Sequence, residues 1–284
     1  MAVRWIILLA LIFTNASAAE FVGVRQVEII GYSGEAMEPF VSRDGRYLLF
    51  NDSNEPGKNT DLHWAERITS LVFRYGGRIE GANSAALDGV PSLDNQGNLY
   101  FVSLRSYRQT LGSIYRSQFR DGHAAKPELV QGLSLGKPGQ INFDIEISAD
   151  GATLYGVDGA FSGGPAPNRA QLFVAHRVGN RFERAANSNE IMAQVNREAL
   201  QYAPAISSDG LDLYFTRATG SLWWRRLTIE HARRDSVLKP FGRSETLRSV
   251  VGVVEAPSLS NDGRELYFHN RTPDGFRVFQ VSKQ

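Results

Sequence analysis

The sequence predicts an all-β chain, a five-bladed propeller of four-stranded blades, and three observations carry that reading. One segment grammar recurs five times along the 284 residues. Each complete copy leaves room for two further strands before the next begins. The last copy stops one strand short, and a spare strand stands near the N-terminus.

The copies open at Pro39 (PFVSRDGRYLLF), Pro91 (PSLDNQGNLYF), Ile145 (IEISADGATLYG), Pro204 (PAISSDGLDLYF) and Pro257 (PSLSNDGRELYF). Six residues after each opening comes a glycine: Gly45, Gly97, Gly151, Gly210 and Gly263. Successive glycines are separated by 52, 54, 59 and 53 residues. Within a copy, an alternating stretch such as Ala205-Ile206-Ser207 reads as a strand. Asp-Gly supplies the positive φ of a tight turn, and Leu213-Tyr214-Phe215 is the returning strand. Proline suits the first residue of a strand, where its missing N–H breaks no ladder bond.

Third and fourth strands follow. Copy one offers Asp61–Trp64 and Val72–Arg74, copy two Gly112–Tyr115, copy three Gln171–Val174 and copy four Leu222-Trp223-Trp224. Copy five ends after Phe276–Val281, and its fourth strand is expected from Gly23–Ile30, so that pairing of the termini removes the last open edges. A solenoid, the competing architecture, needs capping repeats, and neither terminus resembles one. Two stretches depart from the strand grammar. Ser188–Gln201 has Ile191, Val195 and Ala199 at helical spacing and predicts a short helix before blade four. Gly156–Pro165 replaces the usual aromatic end of a second strand and reads as a long glycine-rich loop able to cover the mouth.

Residues 1–18 have the order of a secretory signal peptide: Arg4, an apolar core from Trp5 to Phe13, then Ala16-Ser17-Ala18. The apolar run is too short to span a bilayer, which takes about 20 residues. The expectation is therefore a periplasmic or secreted protein without membrane insertion, whose residues 19–284 form a single propeller. Lys and Arg number 31 and Asp and Glu 30; without Arg4 the charges balance. Neutrality argues against nucleic acid as a partner. The absence of cysteine excludes disulfides, thiolate zinc sites and a cysteine nucleophile. The five histidines lack metal-ligand spacing, so no cofactor or metal is expected.

The copies resemble the PD40 (WD40-like) repeat of TolB-type propellers. The match is carried by Pro39…Ser42-Arg43-Asp44-Gly45, Pro204…Ser207-Ser208-Asp209-Gly210 and Pro257…Ser260-Asn261-Asp262-Gly263. Ser148-Ala149-Asp150-Gly151 matches without its proline, and Pro91…Asp94-Asn95-Gln96-Gly97 is degenerate. The resemblance implies an exported propeller used as a protein-interaction platform. It covers the repeats and not a Tol-specific role, since TolB has six such blades and an added α/β domain. No Gly-x-Ser-x-Gly accompanies the repeats, so the peptidases that carry similar blades are not matched.

Propeller geometry sorts residues by face. The Asp-Gly turns lie at the bottom, so their aspartates are turn formers. The top rim collects residues just before each opening position, Glu38, Asp144 and Glu255 among them, together with loops after the second strands. Candidate ligand-binding residues are Glu38, Asp52, Arg105, Asp144, Asp158, Arg217, Glu255 and Arg271; no catalytic residue is assigned. Arg225, Arg226, Arg233 and Arg234 give blade four a basic outer edge, and with the helix before that blade they leave a scaffold role in a larger complex open. Two functions stand ahead of it. The first is a non-enzymatic envelope platform that binds a protein or peptide, its arginines receiving carboxylates in forked geometry. The second is a carbohydrate-active propeller, glycosidase or lectin, using Glu38, Asp144 and Glu255; hydrolysis needs two carboxylates about 5–9.5 Å apart. The platform reading rests on the mixed-charge rim and the absence of catalytic order; a purely structural role for the carboxylates expects each to pair with an arginine or cap a strand start. The carbohydrate reading expects an exposed Trp or Tyr near the carboxylates, whereas Trp64, Trp223 and Trp224 fall on predicted third strands away from the mouth.

Overall fold

The computed structural model describes residues 20–55, 57–164, 166–220 and 224–284. The expected leader, and Leu222 and Trp223 of the expected third strand in copy four, lie outside the described residues.

Two short strands, β1 (Phe21–Gln26) and β2 (Glu28–Ile30), precede the repeats. Copy one contains β3 (Met37–Val41), β4 (Tyr47–Asn51), β5 (Leu62–Arg67) and β6 (Val72–Arg78). Copy two contains β7 (Asp88–Leu93), β8 (Asn98–Ser103), the single-turn α1 (Tyr107–Thr110), β9 (Ile114–Arg120) and the fragments β10 (His123–Ala124) and β11 (Glu128–Leu129). Copy three has β12 (Gln140–Ile147), β13 (Thr153–Ala160), β14 (Arg169–Val178) and β15 (Arg181–Arg184), followed by α2 (Ser188–Ile191). Copy four has β16 (Leu200–Ile206), β17 (Asp212–Thr219), β18 (Arg226–Arg233) and β19 (Glu245–Thr246). Copy five has β20 (Val254–Leu259), β21 (Glu265–Thr272) and β22 (Gly275–Lys283).

Each copy is an antiparallel meander starting with its Pro-position strand, and a single parallel pair, Ala170 with Leu200, joins copies three and four. The turns behave as the Ser-x-Asp-Gly grammar requires. Ser42 Oγ donates to Asp44 Oδ1 (2.6 Å), the Gly45 N–H donates to the Ser42 carbonyl (2.8 Å), and Gly45 takes φ 72°. Apolar residues collect in five clusters, each shared by two copies that follow one another. One of them joins copy five to copy one, with Tyr267 and Val278 packed against Leu48, Phe50 and Phe73. Burying one such side chain contributes roughly 1.5–3 kcal/mol, so the interfaces between sheets are the core.

Four expectations need correction. The N-terminal segment expected as one strand splits at buried Val27, whose N–H donates to Val278 O (2.8 Å). Before that point β1 pairs antiparallel with β22; beyond it, β2 pairs parallel with β6. One segment thus straps the last sheet to the first. The helix expected over Ser188–Gln201 is only one turn long: Ile191, Met192 and Val195 are buried through turns, and Leu200 and Gln201 already belong to β16. Gly156–Ala160 continues β13 instead of forming a loop. A Cβ on Gly156 would sit 2.4 Å from the Phe173 ring, so glycine admits a close approach within the strand. Finally, the third strand of copy four is β18, and Trp224 precedes it in the connection from β17, 85% exposed.

Candidate functional site at the mouth of the inner strands

All five inner strands carry a register shift at one place, between Met37 and Phe40, Gly89 and Ser92, Asn142 and Ile145, Tyr202 and Ala205, and Glu255 and Ser258. At four of these bulges the residue before the proline is left-handed: Glu38 (φ 49°), Val90 (55°), Ala203 (50°) and Ala256 (55°). A non-glycine residue rarely adopts this conformation, least of all a β-branched one, and bulges re-aim side chains. Of the residues seven and eight before each turn glycine, the bulges bring Glu38, Gly89, Val90, Phe143, Asp144, Tyr202 and Glu255 to the mouth.

The bulged N–H groups are held by the preceding copy. Val90 N–H donates to Asn51 Oδ1 (2.9 Å) and Ala256 N–H to Thr216 Oγ1 (3.0 Å). Glu38 N–H donates to His269 Nδ1 (3.1 Å), which joins copy five to copy one. Asn51, Thr216 and His269 occupy the same repeat position, six residues after the turn glycine. In copy three that position is Val157, which cannot accept, and the Ala203 N–H donates to Asp144 Oδ2 instead (3.0 Å). Burial holds the His269 imidazole neutral, pushing its pKa down to about 3.

On the axis, residues from all five copies, including Pro39, Pro91, Ile145, Pro204 and Pro257, surround a void of only about 20 Å³. Above it opens a cavity of about 610 Å³. Glu38, Asp144 and Glu255 all line it, together with Asn54, Phe143, Phe161, Tyr202 and Arg225. Glu38 Oε1 accepts from Asn54 Nδ2 (2.6 Å), itself held through Asn54 Oδ1 by Asn51 Nδ2 (2.9 Å); Glu255 Oε2 accepts from the Tyr202 hydroxyl (3.0 Å). Among the described residues, none of the three carboxylates forms an ion pair. Burial and then the nearby Glu255 push Glu38 up to about 8. Burial and then Glu38 hold Asp144 well above the usual carboxylate range. Burial also raises Glu255, opposed by the Tyr202 hydroxyl and by Arg225, so it is the member most disposed to ionise. The described residues contain no grouping of His, Cys, Asp and Glu fit to hold a metal ion.

The remaining candidates lie elsewhere. Arg105 binds Asp88 Oδ1 (2.7 Å), and Arg217 binds Glu230 Oε2 (2.6 Å). Asp158 accepts from Arg184 (2.8 Å) and lines a separate side cavity, while Asp52 faces His63 (3.4 Å). Arg271 is exposed, its guanidinium 5.9 Å from the Phe276 ring centre. The rim arginines do not pair with the mouth carboxylates, whereas Asp144 accepts the bulged Ala203 N–H, one of the two structural roles expected of them. Phe143 and Tyr202 were missed as site residues, although they share with Glu255 the position eight before the turn glycine. Arg225, expected on a basic outer edge, reaches the cavity.

No protein-family profile matches the sequence, and no curated protein does. Solved structures do. Arabinanase Arb43A from Bacillus subtilis is 13% identical, with 93% of this chain and 96% of that one aligned at a TM-score of 0.58. Zg3597, a family 117 glycoside hydrolase from Zobellia galactanivorans, is 10% identical over 93% and 90% of the chains, with a TM-score of 0.57. TolB from Acinetobacter baumannii is 13% identical at a TM-score of 0.49, and the chain spans 55% of its length. The likeness to the first two shows the fold, a β-propeller. No described helix is long and apolar enough to cross a membrane.

Proposed function

We propose that this is an exported, closed five-bladed propeller of four-stranded blades that acts on carbohydrate through its mouth cavity. One observation carries the reading: carboxylates from copies one, three and five converge on a single cavity with no ion-pair partner among the described residues, and burial raises their pKa values. Uncompensated, pKa-shifted carboxyls in a cavity are the equipment of general acid–base chemistry. Support for a closed ring comes from the cluster shared by copies five and one, the β1–β22 pairing and the Glu38–His269 bond. The likeness to two glycoside-hydrolase propellers agrees with the carbohydrate assignment.

The reaction is hydrolysis of a glycosidic bond. Glu38, protonated at neutral pH, gives its proton to the leaving oxygen as the anomeric C–O bond breaks. Water adds its oxygen to the anomeric carbon and yields its proton to the Glu255 carboxylate, the form that the Tyr202 hydroxyl and Arg225 favour against burial. Asp144 is a positioning residue: one oxygen is committed to the Ala203 N–H, and its charge state couples to Glu38. The test is turnover of a panel of aryl glycosides and oligosaccharides. Glu38→Gln and Glu255→Gln should each lose roughly 10²–10⁴-fold in rate while still binding ligand. Absence of both binding and turnover across the panel would sink the assignment.

A peptide platform is the second reading, favoured by the exposure of the large apolar side chains of Trp224, Val251 and Val253. It predicts an envelope protein or peptide that is retained by the parent and released by Trp224→Ala/Val251→Ser. Retention by neither would remove it.

A further inference from the structure

The mouth cavity is chemically two-sided. Copy two contributes Leu87, Gly89, Val90, Val102 and Leu104 to its lining, without one polar side chain. Copy three adds Ile141, Phe143 and the segment that contains Phe161, Ala166 and Pro167, with Asp144 as its one polar side chain there among the described residues. Copies one, four and five supply the other polar groups, Glu38, Asn54, Tyr202, Arg225 and Glu255, with Leu200 and Leu227 of copy four as their only apolar side chains there among the described residues.

We infer that the ligand is amphipathic, a glycoside whose sugar faces the carboxylates and whose aglycone is apolar, lodged against the copy-two and copy-three wall. This rests on the carbohydrate reading and narrows it. A bare oligosaccharide would press hydroxyls against Leu87, Leu104 and Ile141, where no side chain replaces the lost water, and buried polar groups without partners are disfavoured. An aryl or short alkyl group loses nothing there and gains by leaving water. The size agrees: about 610 Å³ lies within the range of pockets that enclose one compact ligand. The segment is anchored at its start by the Phe161 N–H on Gly139 O (2.8 Å), and the Phe161 ring makes edge contact with Phe143, which lines the same cavity.

Matched pairs of methyl and phenyl glycosides of the common pentoses and hexoses, titrated calorimetrically, test the inference without any change to the wall. Glu38→Gln serves as a second host that suppresses turnover. The phenyl member of the accepted pair should bind about ten-fold tighter or more than the methyl member. Leu104→Asn or Ile141→Asn should shrink that gap to less than about two-fold. Equal binding of methyl and phenyl members overturns the inference while leaving the carbohydrate reading intact. Phenol alone binding as tightly as its glycoside also overturns it, since the sugar then contributes nothing. If no glycoside binds, the carbohydrate reading falls and takes the inference with it.

Discussion

Asp144 and Glu146 stand two residues apart on β12, 3% and 4% exposed, yet they meet opposite surroundings. Glu146, towards the turn end of the inner strands, is satisfied on both oxygens. Arg43 reaches it from copy one and also donates to Ile147 O (3.0 Å), and Ser92 Oγ donates to Glu146 Oε2 (2.9 Å). Asp144, at the mouth end, shares a cavity with two further carboxyls and meets no cation within ion-pair reach. One end of the axis is a charge-compensated plug; the other holds buried carboxyls that no cation pairs among the described residues. Burial alone does not separate the two ends; the presence of a counter-charge does.

The largest effect should come from breaking the plug. Arg43→Met leaves Glu146 buried without its cation and should cost about 3–5 kcal/mol in urea unfolding, because an unpaired buried charge is strongly disfavoured. Glu38→Gln, at the mouth, should be neutral or stabilising. Equal losses for the two would erase the contrast between the ends.

The pH dependence separates the ends further. The folded state raises Glu38 from 4.5 to about 8, so between these values it binds more protons than the unfolded chain. Stability from this group is present below about 4.5 and lost as pH rises through 8. His269 runs the other way, with a folded value near 3 against 6.5, and its contribution is lost as pH falls from 6.5 towards 3. Melting temperatures across pH 4.5–8 should therefore fall less steeply in Glu38→Gln than in the parent. A parallel decline in the two proteins would mean that Glu38 is not the group concerned.

His269→Val should cost about 1–3 kcal/mol by stranding the Glu38 N–H. His269→Asn supplies the acceptor that Asn51 already provides at the equivalent position in copy one, so it should retain most of that stability and abolish the acid-side loss. Equal damage from Val and Asn would show that packing on Phe276, not the hydrogen bond, is what matters. The smallest effect concerns Asp144. Asp144→Ala should lose about 1 kcal/mol as the Ala203 N–H loses its acceptor, and a second change, Val157→Thr, should restore part of it. Additive losses in the double-mutant cycle would refute the substitution of Asp144 for the missing acceptor.

The repeat grammar alone determined the strand order, the glycine turns, and the gathering of Glu38, Asp144 and Glu255 at one end. These follow from short-range physics: alternation, proline at a strand start, and a positive φ that Asp-Gly supplies within four residues. Tertiary structure alone decided which charges are neutralised. Arg217 and Glu230 face one another only because β17 and β18 pair in a register that sets Arg217 opposite Thr228, and Arg105 turns to Asp88 within its own copy. The bulges, the split at Val27 and the place of Trp224 were likewise invisible in the sequence. Each depends on which strand lies alongside, and electrostatic energies depend on distances through space that residue spacing does not encode.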